Sequence, residues 1–363
     1  MNQRLSCVKN IVFVQKYFSL RFLFVLLVAL IGFSASTFAQ QTTIVGTVTD
    51  PSGAVVPNVS VTVTNVDTGK SVVIPTNDAG QYVAVDLQVG HYKVKAEAKG
   101  FKAAEQKDIV LTIGDRIRVN FQMQLGAAQE TVTVEANAVH VQEDSGEQSN
   151  LITDQQMQQL AVNGRGVQWL ATLTPGASSN ITGFVNTPVG GDFGVEFNGQ
   201  RENHNIWLLD GGEDDDRGGA GGMSIAPSSD AIAEFRALTS NYSADYGLSS
   251  AATMTMVLKS GTSQIHASAW EFDRNDAFDA RNFFFPRENP NGSTNKIPEL
   301  RYNTWGFNVG GPVTLGHLYN PDKKKTFFFY NMEWRRYVFG GATNQTVPDP
   351  ATFGGDFSSL LTG

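Results

Sequence analysis

Cysteine is nearly missing from this chain. Its 363 residues include one, Cys7, which excludes an internal disulfide framework and any cysteine-ligated zinc site. Charge is sparse and leans negative, with 27 Lys+Arg against 35 Asp+Glu and a net of −8. That balance argues against a general nucleic-acid binder, which needs a basic stripe. No apolar run reaches the about 20 residues that a membrane-spanning helix requires, and no acidic residue precedes Asp50. What is present is 41% hydrophobic residues and 36 glycines, enough apolar surface for folded domains and enough turn formers for β structure. The length allows about two or three domains.

The lack of acid at the start coincides with Arg4, Lys9, Lys16 and Arg21, and these precede the unbroken apolar run FLFVLLVALIGF at 22–33. Small residues follow up to Ala39. A basic region, a short apolar core and small residues at a scission point form a secretory signal. Cleavage is expected after Ala39, so residues 1–39 would be removed. The exported chain would then lose Cys7 and four positive charges.

Period-2 alternation begins just beyond the leader. Val59, Val61 and Val63 alternate with Ser60, Thr62 and Thr64; Tyr92, Val94, Ala96 and Ala98 with Lys93, Lys95, Glu97 and Lys99. Ile117, Val119, Phe121, Met123 and Leu125 form a third apolar series. Turn signals such as Asp50-Pro51-Ser52-Gly53 and Asn77-Asp78-Ala79-Gly80 separate them. Short strands with one apolar face each predict two sheets packed face to face over residues 42–125. Gly46-Thr47-Val48-Thr49-Asp50, the stretch from Thr76 to Tyr82, Gly90-His91-Tyr92 and Gly100-Phe101 resemble the carboxypeptidase regulatory-like (transthyretin-like) domain. That resemblance implies a seven-stranded sandwich without catalysis of its own. His140 and Glu143 do match the H-x-x-E spacing of a zinc peptidase, but they sit in a polar stretch without a matching third ligand, so a chance match is expected and no metal site is assigned.

Residues 126–260 carry mixed signals. Gly126-Ala127-Ala128 breaks the strand pattern, after which residues 129–136 (QETVTVEA) alternate again in isolation, as a last sandwich strand, a linker or a separate docking segment. Thr153 to Gln156 has the form of a capping box, with Met157, Leu160 and Ala161 as a short apolar stripe. Phe197 to Arg201 and Ile206 to Gly211 read as strands with turns. Pro227 to Asp230 precedes an expected short helix carrying Ile232 and Phe235. Met254, Met256 and Leu258 mark another strand. The dense acidic run Glu213-Asp214-Asp215-Asp216 lacks the spacing of a calcium loop and reads as a solvated loop.

Six stretches in this order, LAVNGR at 160–165, FNGQR at 197–201, LLDG at 208–211, DAIAEF at 230–235, NYSADYG at 241–247 and VLKSGT at 257–262, resemble the plug domain of TonB-dependent outer-membrane transporters. The resemblance singles out Asn163, Gly164, Arg165, Asn198, Gly199, Gln200, Arg201, Asp210 and Gly211 as plug motifs. It also places Glu130, Thr131, Val132, Thr133 and Val134 where the family carries the TonB box, the segment that binds the periplasmic energy-coupling protein TonB.

After residue 261 aromatics dominate. Trp305, Phe307 and Val309 alternate with Thr304, Gly306 and Asn308; Phe328, Tyr330, Met332 and Trp334 alternate with Phe329, Asn331, Glu333 and Arg335; Trp270 and Phe272 alternate with Glu271 and Asp273. Such alternation is the signature of transmembrane β-strands. FDRNDAFDARNFFF at 272–285, NTWGFNVGGP at 303–312 and KKKTFFFY at 323–330 resemble the start of an Oar-like barrel. The expected loop at 276–300 faces outward from the cell and the turn at Lys323-Lys324-Lys325 faces the periplasm. About three barrel strands are present, against at least eight in a closed barrel, so an N-terminal fragment or truncated product is expected.

The expected fold is therefore mainly β: a transthyretin/Ig-like sandwich, an α+β plug at 151–260, and the opening strands of a transmembrane barrel at 261–363. The expected function is a non-enzymatic TonB-dependent receptor or transporter in the outer membrane of a Gram-negative bacterium. Its partners are TonB, outer-membrane lipid and a transported ligand, with no cofactor. A non-transporting surface receptor or adhesin is the alternative, and a secreted metallocarboxypeptidase a third reading.

Overall fold

The alternating apolar residues after position 42 build a two-sheet sandwich in the computed structural model, which describes residues 42–126, 131–135, 146–160, 163–179, 194–216, 222–281, 283, 287–288, 292, 294, 296–340 and 350–358. The expected signal at 1–39, Glu130, His140 and Glu143 lie outside the described residues. The strands are β1 (Thr42–Thr49), β2 (Ser60–Asn65), β3 (Ser71–Pro75), β4 (Gln81–Leu87), β5 (Gly90–Glu97), β6 (Ala103–Leu111), β7 (Arg116–Arg118), β8 (Phe121–Gln122) and β9 (Thr131–Glu135). One sheet runs β4-β1-β7, with β8 also on β1, and the other runs β3-β2-β5-β6-β9. Because β7 and β8 both run parallel to β1, they are two halves of one interrupted strand.

Period 2 sends Val61, Val63, Tyr92, Val94, Ala96, Ile109 and Leu111 of one sheet against Ile44, Val48, Tyr82, Ala84, Val119, Phe121 and Met123 of the other. Leu125 does not join them. It is 71% exposed, since the chain has left the sheet and makes only a single bridge to Phe101. Tyr82 is buried, and its hydroxyl donates to the Val119 carbonyl at 2.7 Å. At Gly46 a Cβ would lie 1.8 Å from that same carbonyl oxygen, so a side chain there would push the two strands apart.

The described residues fall into two compact units. The sandwich shares the first with a mixed sheet made of β10 (Gln148–Thr153), β13 (Ile206–Leu209), β14 (Gly212–Glu213), β15 (Ile232–Ser240) and β16 (Thr253–Leu258), ordered β10-β15-β16-β13-β14. β11 (Ala177–Ser179) and β12 (Val195–Phe197) form a separate antiparallel pair. Thr153 caps α1 (Asp154–Gln159) through the anticipated capping box, with Gln156 bonding back to the Thr153 N–H at 3.0 Å. A second short helix, α2 (Gln168–Ala171), buries Leu170 and Ala171. Met157, Leu170, Phe197, Trp207, Phe235, Met254 and Met256 form the second core.

Residues 232–240 form a strand and not the expected helix. β10 and β16 pair with both edges of β15, so tertiary partners supply the backbone bonds that a short isolated helix would have had to make alone.

The second unit contains an antiparallel sheet of β17 (His266–Asn275), β18 (Leu300–Pro312) and β19 (Phe327–Phe339). Trp305 lies opposite Trp334, Phe307 opposite Met332 and Val309 opposite Tyr330, so the aromatic series of two strands share one face. Trp305 and Trp334 stack with centroids 6.3 Å apart, and Phe307 lies 5.9 Å from Tyr330. The opposite face holds buried Thr304 and Asn308. β17 departs from this pattern. Trp270 is opposite Gly306 and Phe272 opposite Thr304, which puts both on the polar face, while Ala267, Ala269 and Glu271 share the aromatic one. Gly306 explains the exchange: with no side chain there, the Trp270 indole crosses the strand, and a Cβ at 306 would meet it at 2.7 Å.

Candidate functional site

The residues singled out as plug motifs are turn formers. Asp210 and Gly211, with φ of 48° and 80°, join β13 to β14 as a two-residue hairpin with Leu209 opposite Gly212. Positive φ at both central positions is what such a hairpin requires. The Asp210 carboxylate also accepts the Leu258 N–H at 2.9 Å, tying the turn to β16. Asn198 and Gly199, at 53° and 74°, form a second turn, closed by the Gln200 N–H on the Phe197 carbonyl at 2.9 Å. The Asn198 amide reaches across to the Thr239 carbonyl at 3.0 Å. Asn163–Arg165 is a 3-10 turn with Gly164 and Arg165 both at positive φ. Gln200 and Arg201 are exposed and Arg165 is half-buried. The spacing of these motifs therefore encodes backbone geometry.

The acidic run is not a solvated loop. Asp214 is 5% exposed, and its carboxylate accepts the Ile225 N–H at 2.9 Å. Asp215 accepts the Trp207 N–H at 3.1 Å. These side chains thus bond backbone N–H groups of β13 and of the segment that follows the run. Burial pushes the Asp214 carboxyl above its ordinary range. Among the described residues no group of three or more His, Cys, Asp or Glu is placed to hold a metal ion.

Of the readings that alternation left open for Thr131–Glu135, the structure takes the last sandwich strand. It is not isolated: β9 pairs parallel to β6, with Ala103 opposite Thr131, Ala104 opposite Val132, Glu105 opposite Thr133, Gln106 opposite Val134 and Lys107 opposite Glu135. The segment proposed for TonB is thus the edge strand of the five-stranded sandwich sheet.

A polar cluster that sequence reasoning missed joins the sandwich to β15. Arg236 is 3% exposed. Its guanidinium meets the Asp115 carboxylate at 3.0 Å, donates to the Ile113 carbonyl, and reaches the Ser149 hydroxyl at 3.0 Å. Glu234 accepts the Ile113 N–H at 2.7 Å. Burial raises the Glu234 carboxyl to about 7, and the Asp115 charge adds to the rise while Arg236 opposes it. The only signal in the chain was a Glu and an Arg two residues apart within an otherwise apolar run.

In the second unit Glu333 is the corresponding hub. One carboxylate oxygen accepts the Ser228 hydroxyl at 2.7 Å and the Trp270 indole N–H at 3.2 Å; the other accepts Arg335 at 2.7 Å. The Asn308 amide donates to the Asp230 carbonyl at 3.4 Å, so the segment Pro227–Ala231 meets the polar face of β17–β19 at Glu333 and Asn308.

These features match known families. Residues 43–124 match the carboxypeptidase regulatory-like domain and residues 257–363 the outer membrane beta barrel domain. The chain thus carries a segment similar to an outer-membrane β-barrel domain after a regulatory-like sandwich. More particularly, the chain is 26% identical over 248 residues to the TonB-dependent transporter Oar of Myxococcus xanthus, a match covering 66% of this chain and 22% of that protein. The chain spans about a fifth of that relative's length.

Two solved structures are also similar. The siderophore receptor PirA of Acinetobacter baumannii has a TM-score of 0.33 and 22% identity, and the match covers 46% of this chain and 22% of that one. The ferric enterobactin receptor PfeA of Pseudomonas aeruginosa, as a mutant, has a TM-score of 0.31 and 13% identity over the same shares.

Proposed function

We propose that this chain is the N-terminal part of an active transporter of the outer membrane, energised through TonB. In this reading residues 1–39 are a cleaved export signal and the sandwich lies in the periplasm. The Glu130–Val134 segment docks TonB, residues 151–260 act as the plug, and β17–β19 are the opening strands of the barrel.

The observation that carries the reading is the inverted dressing of β17–β19. Trp305, Phe307, Tyr330, Met332 and Trp334 are each 38–48% exposed, while Thr304 and Asn308 on the other face are at most 5% exposed. A sheet folding in water buries its aromatic face; one folding in lipid presents it outward and keeps polar groups toward the lumen. The similarity to Oar supports the coupling to TonB.

The test addresses the coupling segment. An extended segment joins a partner by adding a strand to its sheet edge through main-chain bonds. Proline lacks the N–H and breaks such a ladder. In a full-length protein Val132→Pro is expected to abolish TonB capture and ligand uptake while ligand binding persists; Val132→Ala is expected to be mild. Unchanged uptake in the proline variant would move the coupling site elsewhere.

A further inference from the structure

We propose that the turn between β6 and β7, residues 112–115, is a proton-operated latch between the sandwich and the mixed sheet, closed while Glu234 holds a proton and opening when it loses it. The latch does not depend on which segment docks TonB.

The two bodies keep separate cores. No residue of the sandwich core around Val61, Tyr82 and Phe121 belongs to the core of the mixed sheet around Trp207, Phe235 and Met254. Bodies whose cores do not merge meet through smaller, more polar junctions, and these open without unfolding either side.

The 112–115 turn forms such a junction. Ile113 is 1% exposed; its N–H donates to Glu234 at 2.7 Å and its carbonyl accepts from Arg236. Gly114, at a φ of 73°, lies so close that a Cβ there would come within 3.5 Å of the Arg236 guanidinium and 3.6 Å of the Tyr246 hydroxyl. Asp115 meets Arg236 at 3.0 Å.

The charges at this junction do not balance. Two carboxylates face one guanidinium, and Asp115 takes it, with its other oxygen accepting the Thr112 N–H at 2.9 Å. Among the described residues Glu234 has the Ile113 N–H as its one hydrogen bond. The strands beside it bring no charge, since its register partners are Thr153 on β10 and Val257 on β16. Asp154, which opens α1, is engaged by the Gln158 amide at 2.9 Å. With a proton on Glu234 the cluster is neutral; without it, one negative charge is left uncompensated away from water, which is costly. Burial first, and then the Asp115 charge, accordingly raise the Glu234 carboxyl to about 7. Opening returns it to water and to its ordinary value of 4.5. The closed form thus binds the proton more tightly. It is favoured at low pH, weakens by about tenfold per pH unit as pH rises from 4.5 to 7, and loses no more above 7.

The test follows amide hydrogen exchange in the full-length protein in detergent, comparing variants at one pH at a time so that the intrinsic pH dependence of exchange cancels. Glu234→Gln keeps an acceptor for the Ile113 N–H and removes the charge. At pH 8 the 112–115 turn is expected to exchange about tenfold or more faster in the wild type than in Glu234→Gln, and at pH 4.5 the two are expected to agree within about twofold. Amides of β2 are expected to be equally protected in both at either pH. Asp115→Asn, which frees the guanidinium for Glu234, is expected to flatten the pH dependence by a second route. Asp78→Asn, an exposed site elsewhere in the sandwich, is expected to behave as the wild type. Equal exchange of wild type and Glu234→Gln at pH 8 would overturn the proposal. So would a matching loss of protection in β2, because the sandwich would then be loosening and not undocking. Should Glu234→Gln exchange fast at every pH, an undiminished pH dependence in Asp115→Asn would overturn it, and a flattened one would uphold it.

Discussion

Glu234 offers a direct test of the contact between the sandwich and the mixed sheet. Its carboxyl is raised from 4.5 to about 7, chiefly by burial, with Asp115 adding to the rise. The native state therefore holds this proton more tightly than the unfolded chain does. Below pH 4.5 the group is protonated in both states and costs nothing. Between pH 4.5 and 7 the unfolded chain releases the proton first, so stability falls as pH rises, and the loss is complete above pH 7. At 1.36 kcal/mol per tenfold change in proton affinity, and with a discount for partial exposure, the loss is about 2–3 kcal/mol. Glu234→Gln keeps an oxygen to accept the Ile113 N–H and removes the charge. It is expected to flatten this slope. At pH 8 it should stabilise by about 2–3 kcal/mol, or roughly 5–10 °C for a unit of this size; near pH 4.5 the change should be small. Urea denaturation of residues 42–258, which contain both cores of the first unit, would be followed by fluorescence of the buried Trp207. An identical pH slope in the two proteins would show that Glu234 is not desolvated by the sandwich and refute the reasoning.

Arg236→Met strips the partner from a buried Asp115 carboxylate and is expected to cost about 3–5 kcal/mol in the same assay; a loss below about 1 kcal/mol would mean that water reaches the cluster. Tyr82→Phe leaves the Val119 carbonyl without its donor and is expected to destabilise the sandwich by about 1–3 kcal/mol, measured on residues 42–125; a neutral result would show that another donor replaces the hydroxyl. For topology, a cysteine replacing Asn291 in the full-length protein is expected to react with an impermeant thiol reagent on whole cells, and one replacing Lys324 is not. The reverse pattern would invert the barrel in the membrane.

Most of the sandwich was legible because its signal is local. Val59 to Val63 and Tyr92 to Ala96 show their buried face by period 2, and Thr153 with Gln156 showed the helix start by chemistry confined to four residues. The same rule shows that Trp270 and Phe272 share a face but not which one, since that is set by the register of β17 against β18. The helix expected at Ile232 and Phe235 failed for a related reason. Those residues are spaced as a helix would space them, and only pairing with both β10 and β16 reveals a strand.

The candidate site divides along the same line. Asn198-Gly199 and Asp210-Gly211 announce their turns from residue type alone, because few other residues tolerate positive φ. The aromatic alternation of β18 and β19 likewise states which faces are apolar before any fold is known. Where β9 docks, which carboxylates are buried, and that Asp115, Glu234 and Arg236 meet were decided only by the tertiary structure. Partners more than a hundred positions apart share no local pattern, and a carboxylate's burial depends on what covers it. The amino-acid order of this chain thus determined most of its strands, its turns and the apolar faces of β18 and β19, while the assembled fold decided that β9 rests on the sandwich and that a buried ion pair holds the sandwich to β15.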